Sequence, residues 1–189
     1  MQLKKNNSFW ILKPVANACG RGIKLYNKRT KITNKKNYLA SEYIKKPHLI
    51  NGFKYDLRIY VLITSYDPLR IYLYDDGLVR FATEKYDLKK SSLKERFVHL
   101  TNYSVNKHSK NYEKSTNTDE AKGSKWTLKT LIRNFQDMKI SFDPILKKIK
   151  DLIVKTCIAV EPFMLNSINK SPNHRNNCFE LYGFDVILD

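Results

Sequence analysis

Residues 55–64 read Tyr-Asp-Leu-Arg-Ile-Tyr-Val-Leu-Ile-Thr, and this stretch decides the fold. It is rich in β-branched and aromatic residues, which favour extended backbone, and its length is typical of a buried strand. Charged side chains occupy every second position at its beginning, namely Lys54, Asp56 and Arg58. Because side chains alternate along a strand, all three project from one face. The sequence therefore predicts a core strand whose first residues carry a charged face.

The next stretch predicts a hairpin. Residues 70–74 and 78–83 are strand-like, and the tripeptide Asp-Asp-Gly at 75–77 separates them. Asp-Gly between two such runs is a strong signal for a tight turn, because glycine accepts the positive φ that the turn requires. We therefore expect three antiparallel strands from residue 55 to residue 83.

The N-terminal part predicts a second β-hairpin, with strands at 9–12 and 23–26 and a mobile, glycine-bearing tip between them. A polar stretch rich in Lys and Asn follows, and then a short apolar segment. We expect a domain junction near residues 45–47. The tip, the polar stretch and the apolar segment are residues 13–22, 27–37 and 38–44.

Two helices are predicted in the C-terminal half, because apolar residues recur there with helical spacing. The first covers about residues 125–139. The second begins with Asp143 as its expected N-cap and Pro144 as its first helical residue. The apolar stripes are Leu128, Leu131, Ile132 and Phe135 in the first helix, and Ile145, Ile149, Leu152, Ile153 and Cys157 in the second.

Polar stretches at 106–124 and 166–177 predict solvated loops, and residues 179–188 predict a final strand. The combination of helices with mostly antiparallel strands indicates the α+β class.

The composition restricts the class of protein. The chain has 189 residues, of which 42% are apolar and 12% aromatic, which suffices for a core and excludes a disordered basic tail. With 35 Lys and Arg against 18 Asp and Glu, the net charge is +17, so we expect an acidic partner. The charge does not choose among nucleic acid, an anionic membrane surface and an acidic protein segment.

The cysteines and the hydropathy indicate a location. Three cysteines without C-x-x-C spacing indicate neither a disulfide framework nor a structural zinc site, and the four histidines lack metal-ligand spacing. No apolar run approaches the roughly 20 residues that cross a bilayer, and the N-terminus lacks the apolar core of a signal peptide. We expect a soluble, intracellular protein in a reducing compartment.

Lys13 with Gly20 and Gly22 forms the first candidate site. Glycines let backbone N–H groups approach phosphate oxygens closely, and a neighbouring lysine supplies positive charge. The spacing is neither the Walker motif nor the dinucleotide fingerprint. An ordinary hairpin turn with solvated bases is the alternative.

The alternating charges of Lys54, Asp56 and Arg58 form the second candidate. Such side chains on an apolar strand must be solvated in a cleft or paired, because their burial alone is unfavourable. A cleft is the simpler explanation, and a structural Asp–Arg pair is the alternative. Arg80, in a later strand-like run, presents a guanidinium fork that suits a carboxylate, and otherwise it is a solvated edge residue.

Asp185 is the most informative acid. It lies within an apolar strand pattern, where a carboxylate needs a cation, either Mg²⁺ or a basic partner. Glu180 and Asp189 are less constrained candidates. The polar cluster at 99–104 fits a strand end that faces a ligand, with a capped turn as the alternative. Together these candidates suggest nucleotide phosphates, magnesium and a substrate that bears a carboxylate.

Five blocks of the chain together resemble the tubulin tyrosine ligase-like family, whose catalytic core is an ATP-grasp fold. They follow one another in order, so that the resemblance extends over nearly the whole chain. Within the family, the run YDPLRIYLYDDGLVRFA and the GSKW block are most similar to the protein polyglutamylases, in particular the branch that starts glutamate side chains on tubulin. The blocks are residues 9–23, 43–86, 97–109, 123–131 and 178–189.

The resemblance implies a role for each matching position. Lys13 and Arg58 would be catalytic, and residues 41–44 would form the hinge beside the adenine. Asp185 would be the first magnesium ligand. ATP would be bound by Lys13, Cys19, Gly20, Gly22, Ser41, Glu42, Tyr43, Ile44, Lys54, Asp56, Thr101 and Asn102. Free glutamate would be bound by Arg80, Tyr103, Ser104 and Lys125.

The chain also departs from the family. Cys19 stands where relatives often carry Arg or Gln, and Ser41 stands where Gln is usual. The family's other two magnesium ligands, a Glu and an Asn, would follow Asp189, so the chain resembles an incomplete ligase. The resemblance divides it into the end of the ATP-grasp central domain, 1–46, and an apparently truncated ATP-grasp C-terminal domain, 47–189.

The function implied by the resemblance is ATP- and Mg²⁺-dependent ligation of free glutamate to glutamate side chains in the acidic tails of tubulin, through an acyl phosphate. A monomer on the cytoskeleton follows, including the axoneme or basal body of a cilium or flagellum, with neither nucleic acid nor membrane as partner. Glycine or tyrosine ligation by the same fold, and an inactive microtubule-binding fragment, are the alternatives. Nucleic-acid binding from charge alone is weaker, because no recognition helix or RNP-like aromatic pattern is present.

Overall fold

The computed structural model describes residues 8–27, 37–89, 91–115, 117, 120–170 and 178–189. Within these ranges the chain forms eight strands and four α-helices, and a 3-10 helix precedes the first α-helix. The elements are β1 (Phe9–Pro14), β2 (Lys24–Asn27), β3 (Tyr38–Glu42), β4 (Leu49–Ile50), β5 (Phe53–Tyr66), β6 (Leu69–Lys85), the 3-10 helix (Ser92–Lys94), α1 (Arg96–His99), α2 (Tyr103–Asn106), β7 (Lys125–Thr127), α3 (Leu128–Asp137), α4 (Asp143–Asn169) and β8 (Glu180–Val186).

The chain divides into two compact units. The first comprises Met1–Asp56, Arg80–Lys114 and Ile187–Asp189, and the second comprises Leu57–Val79 and Ser115–Val186. These units follow contacts in space, whereas the predicted boundary at 46/47 concerns the domains of a family. That boundary stays a prediction.

The first unit contains a three-stranded sheet in the order β2-β1-β3, with β1 antiparallel to both neighbours. The register pairs Phe9 with Asn27 and Lys13 with Leu39. The predicted N-terminal hairpin is therefore confirmed. Residues 28–36 of the predicted polar stretch lie outside the described residues.

The core of the second unit is built on β5. Its inward-facing side chains at Leu57, Ile59, Val61 and Ile63 are at most 1% exposed. β8 pairs with β5 in antiparallel register, and the larger sheet has the order β4-β5-β6-β7. Strands predicted at 55–64 and 179–188 are confirmed, with shifted ends.

The turn predicted at residues 75–77 is wrong. β6 continues through it as one strand, and the chain turns earlier, at the cis Asp67–Pro68 bond. Gly77 is required for another reason, because a Cβ there would lie 2.7 Å from the Arg58 carbonyl oxygen. Glycine within a strand often marks such a close approach of another backbone. The region therefore has two strands instead of three.

Gly77→Asn is expected to lower the free energy of unfolding by about 2 kcal/mol, because the new Cβ forces the two backbones apart. A two-residue hairpin turn would instead tolerate Asn, which accepts positive φ. Urea denaturation measures the difference. Asp75→Asn, at an exposed neighbouring position, is the control and should leave stability unchanged. Equal stability of the two variants would favour the turn.

The first predicted helix is confirmed from Leu128 onward. The residues before it, Lys125–Thr127, form β7 instead, and the Thr127 hydroxyl accepts from the Thr130 N–H as the N-cap. Leu131 and Phe135 are buried as predicted.

The second predicted helix is confirmed as α4, with three corrections. Asp143 is already helical and Phe142 is the N-cap, although Pro144 does lie in the first turn. Leu152 is 49% exposed instead of core, because only the row at Ile149, Ile153 and Cys157 is buried. The helix continues to Asn169, so the predicted loop at 166–177 begins as helix, and its residues 171–177 lie outside the described ranges.

The described residues combine antiparallel sheets with helices, as the α+β class requires. Among them, no helix combines the length and the apolar character that crossing a membrane would need.

Candidate functional site

The glycine-bearing loop of the first unit is fastened to the segment around α2. Cys19 and Gly20 have positive φ, 60° and 73°. The Arg96 guanidinium donates to the Gly20 carbonyl at 3.2 Å, and the Ser104 hydroxyl donates to the Cys19 carbonyl at 3.0 Å. A Cβ on Gly20 would lie 3.1 Å from Asn102 Oδ1, so glycine permits this contact. The loop predicted to bind phosphates therefore lies against Asn102, a residue predicted to line the same nucleotide site.

Further predicted site residues lie nearby along the chain in the same unit. Lys13 is exposed on β1. Gly22 has φ 71°, and a Cβ there would lie 2.8 Å from the Pro14 ring. Tyr103 is exposed and stacks edge to face on Tyr112. The hydroxyl of Ser104, which is predicted to bind glutamate, donates to the backbone of the loop.

The predicted hinge, residues 41–44, leaves the three-stranded sheet. The Tyr43 N–H still donates to the Phe9 carbonyl at 2.8 Å. The Ile44 side chain is exposed, and its carbonyl accepts from the Tyr86 hydroxyl at 3.3 Å. The hinge is thus anchored on both sides by hydrogen bonds.

Lys54 is a cation that is only 4% exposed. Its Nζ donates to the Tyr43 hydroxyl and to the His99 carbonyl, both at 3.0 Å. Burial among neutral acceptors lowers the pKa of Lys54 to about 8, while the Asp56 carboxylate raises that pKa and the Lys13 charge lowers it. Such an incompletely compensated cation favours an anionic ligand.

His99 fixes the direction of the Tyr43 hydroxyl. The imidazole is 1% exposed, with Nε2 3.0 Å from the Ser92 carbonyl and Nδ1 3.1 Å from the Tyr43 hydroxyl. Because a carbonyl only accepts, we assign the proton to Nε2, and Nδ1 then accepts from Tyr43. Burial lowers the pKa of His99, which favours the neutral ring. The Tyr43 oxygen is left to accept from Lys54.

Asp56 and Arg80 form a buried ion pair. Arg80 Nε donates to Asp56 Oδ1 at 2.9 Å, and its Nη2 donates to Oδ2. The side chains are only 6% and 12% exposed. The predicted carboxylate partner of Arg80 is present, but it belongs to the chain itself. The structure supports a structural Asp–Arg pair over an open cleft here, with Arg80 in place of Arg58.

Asn106 is the residue that sequence reasoning missed. It falls in the stretch predicted to be a solvated loop, yet it is 1% exposed. Its Oδ1 accepts from the N–H and the hydroxyl of Thr83, at 3.1 and 2.9 Å. Its Nδ2 donates to the carbonyls of Leu100 and Asn102, at 2.7 and 3.1 Å. Asn106 thus fixes both ends of the segment that contains the buried Thr101. The only feature of this stretch that indicates burial is the apolar residue before Asn106, Val105.

Arg58 and Asp185 form an ion pair in the second unit. Arg58 Nε lies 2.6 Å from Asp185 Oδ1, and Nη2 lies 3.2 Å from Oδ2. The two residues are partners in the register of β5 and β8. A Cβ on Gly183 would lie 3.0 Å from the Arg58 side chain, so glycine leaves room for it. Of the two predicted cations for Asp185, the structure shows the basic partner.

Lys125 is also in the second unit, at the start of β7, where its side chain is half-buried. The Ser115 hydroxyl donates to its carbonyl at 2.5 Å. The remaining predicted site residues, apart from Arg58 and Asp185, belong to the first unit.

The side chains that the structure describes do not form a magnesium site by themselves. In the described ranges, no three His, Cys, Asp or Glu residues lie close enough together to hold a metal ion. The predicted ligand, Asp185, is bonded to Arg58. No catalytic step is therefore assigned to a metal.

Comparison with known proteins gives one consistent result. The profile of the Tubulin-tyrosine ligase family matches residues 1–189. The chain is similar to Tubulin monoglutamylase TTLL4 of Mus musculus, with 47% identity over 95% of the chain. It is also similar to Tubulin polyglutamylase TTLL5 of Mus musculus, with 44% identity over 98%, and to Tubulin polyglutamylase TTLL7 of Mus musculus, with 41% identity over 100%. The chain spans 15%, 14% and 21% of the length of these three relatives.

Proposed function

The chain belongs to the tubulin-tyrosine ligase family, and on this premise we propose that it carries the nucleotide-binding residues of an ATP-dependent ligase that adds glutamate to glutamate side chains of tubulin. The names of the relatives, a monoglutamylase and two polyglutamylases of tubulin, support glutamate over glycine or tyrosine. We also propose that the fold is ATP-grasp, as in the family that the sequence resembles.

The observation that carries the proposal is the environment of Lys54. Its ammonium group has three N–H donors, and two of them meet neutral acceptors. In the described ranges the third donor makes no hydrogen bond. A buried cation with an unused donor is stabilised by a phosphate oxygen, which accepts a strong charge-assisted hydrogen bond.

The proposed ATP site is assembled within the first unit. The loop at Cys19 and Gly20 supplies backbone N–H groups for phosphates, and it is fastened to the segment that contains Asn102. Lys54 supplies positive charge, and residues 41–44 supply backbone groups for the adenine.

The proposed reaction has two steps. A side-chain carboxylate of tubulin attacks the γ-phosphorus of ATP, so that ADP leaves and an acyl phosphate forms. The amine of free glutamate then attacks the acyl carbon, phosphate leaves with the bonding electron pair, and the amine loses a proton to give an isopeptide bond. Lys13 and Lys54 would offset the charge on the transferred phosphoryl group. Mg²⁺ generally accompanies ATP in this family, and Asp185 stays its predicted ligand.

Arg80 stays the predicted ligand of the incoming glutamate carboxylate, although the structure gives it a partner within the chain. Its guanidinium fork is occupied by Asp56. A bound glutamate would therefore have to share the Arg80 guanidinium with Asp56 or displace Asp56 from it. The roles of Arg58 and Lys125 stay predictions that no contact in the structure supports.

The charge of the first unit supports an acidic protein partner. Its sequence contains 22 Lys and Arg against 7 Asp and Glu, a net charge of +15, whereas the second unit has 13 against 11. We propose that this basic unit attracts the acidic tails of tubulin, with an affinity that falls as salt rises. A cytoskeletal location, including cilia, would follow from this substrate.

Incubation of the protein with ATP, purified tubulin and labelled glutamate, glycine or tyrosine tests the proposal. We expect label from glutamate alone, and only with ATP. Incorporation of labelled glycine or tyrosine would contradict glutamate ligation and would indicate another activity of the family. Binding to microtubules without any label would favour an inactive binding module.

A further inference from the structure

We propose that Tyr43 and His99 are positioning residues for the proposed ATP site, where they hold the Lys54 ammonium group in a fixed direction. The inference rests on the proposed function, because Lys54 is one of its phosphate ligands. It assigns to two side chains a role that differs from the backbone contacts expected of the hinge.

A directed chain of hydrogen bonds carries this inference. His99 Nε2–H donates to the Ser92 carbonyl, and this leaves Nδ1 as an acceptor for the Tyr43 hydroxyl. The Tyr43 hydroxyl then has only lone pairs to offer Lys54 Nζ, 3.0 Å away. Each bond determines the direction of the next, so the imidazole tautomer sets the acceptor that the ammonium group meets.

The rings hold this chain of hydrogen bonds in place. Tyr43 and His99 are in edge-to-face contact with ring centres 5.7 Å apart, and the Lys54 ammonium lies 4.6 Å from the centre of the Tyr43 ring. Tyr86 is also in edge-to-face contact with His99, with ring centres 5.9 Å apart. The imidazole is therefore confined, and it cannot turn away without losing both rings.

Of the three residues Tyr43, His99 and Lys54, Lys54 is the one expected to titrate at moderately basic pH. Burial raises the pKa of Tyr43, which therefore remains an O–H donor, and burial lowers the pKa of His99, which favours the neutral ring. The pKa of Lys54 lies at about 8. Within the described part of the chain, the other ionisable groups that act on these three residues are Lys13, Asp56, Tyr86 and Asp87.

The first unit contains a matched control for this arrangement. Tyr55 and His48 form a second pair, with the Tyr55 hydroxyl 2.8 Å from His48 Nδ1 and the rings edge to face at 5.8 Å. Tyr55 is as buried as Tyr43, but its hydroxyl is not bonded to Lys54. Removal of either hydroxyl breaks a similar tyrosine–histidine hydrogen bond. Only removal of the Tyr43 hydroxyl also takes an acceptor from the Lys54 ammonium group.

The Lys54 titration by NMR, with lysine labelled at Cε and the signal assigned by Lys54→Met, is the direct test. We expect a midpoint near pH 8 in the wild type. Tyr43→Phe should lower it by about one pH unit, because the protonated amine loses an acceptor. Tyr55→Phe should leave it unchanged. Equal midpoints in both variants would overturn the proposal.

Two His99 variants separate positioning from packing. Asn places its amide near Nδ1 and can still accept from Tyr43, whereas Gln reaches the position of Nε2 and keeps only the Ser92 contact. His99→Gln should therefore lower the Lys54 midpoint as Tyr43→Phe does, and His99→Asn should keep it within a few tenths of a unit. The same midpoint in both variants would indicate a purely structural histidine.

The pH profile of ATP binding completes the test. Wild-type affinity should fall as pH rises through the Lys54 midpoint, because the ligand prefers the protonated amine, and in Tyr43→Phe the fall should begin about one pH unit lower. The NMR titration needs no nucleotide. If the protein binds no ATP but the Lys54 midpoints shift as expected, the proposed function is overturned and the hydrogen-bond network is retained. If ATP binds but the variants leave the Lys54 midpoint unchanged, the network is overturned and the proposed function is retained.

Discussion

Arg80→Ala is expected to lower the free energy of unfolding by about 3–5 kcal/mol, the usual effect of removing one member of a buried ion pair. Asp56 would be left 6% exposed without the guanidinium that meets both of its oxygens. Its desolvation would then be uncompensated, which is the origin of the large effect. Equilibrium denaturation in urea near neutral pH measures the change.

The double variant Asp56→Leu with Arg80→Met tests the assignment of this effect. If the single variant is destabilised by an orphaned carboxylate, the double variant should be more stable than Arg80→Ala. Arg58→Ala is the matched control, because Arg58 and Asp185 form the same two-point geometry at 31% and 47% exposure. It should cost no more than about 1 kcal/mol. Similar losses for Arg80→Ala and Arg58→Ala would show that burial of the Asp56 pair is not the cause.

Asn106→Ala is expected to lower the free energy of unfolding by about 3–5 kcal/mol, because several buried polar groups lose their partner at once. The N–H and hydroxyl of Thr83 lose an acceptor, and the Leu100 carbonyl loses a donor. Hydrogen exchange of the Thr83 N–H should accelerate as well. Chemical denaturation and exchange together measure the effect.

Asn106→Asp and Asn111→Ala are the companions of that variant. Asp keeps the acceptor for Thr83 but cannot donate to Leu100 when ionised, so it should also be strongly destabilised, and less so in acid. Asn111 makes an exposed bond to Glu84, at 2.8 Å, and its removal should change stability by less than about 0.5 kcal/mol. If Asn106→Ala and Asn111→Ala behave alike, Asn106 is not the centre of a buried network.

Strands could be predicted from the sequence wherever alternation and burial agreed. The start of β5 shows this, because Lys54 and Asp56 share a face as the period of two requires. Gly77 shows the limit: the pair Asp-Gly is a local signal for a turn, whereas the true constraint is contact with the Arg58 backbone. A single sequence does not contain that distant neighbour.

For some candidate residues the kind of partner could be predicted from the sequence, but the partner residue itself could not. Arg80 was expected to meet a carboxylate, and that carboxylate proved to be Asp56. Asp185 was expected to need a cation, and its partner is Arg58. Asn106 was hidden because a buried asparagine and a solvated one look the same within a polar stretch. Pairing depends on which strands and turns meet, and side-chain type alone does not specify it.

ATP affinity measured by calorimetry at pH 7, for the wild type, Lys54→Met and Lys110→Met, tests the central claim that the first unit binds the nucleotide through Lys54. Both variants remove one positive charge, but Lys110 is exposed. We predict saturable binding by the wild type, a loss of tenfold or more in Lys54→Met, and little change in Lys110→Met, because a charge-assisted hydrogen bond contributes about 1.5–3 kcal/mol. No binding by the wild type, or equal affinities in the two variants, would contradict the claim.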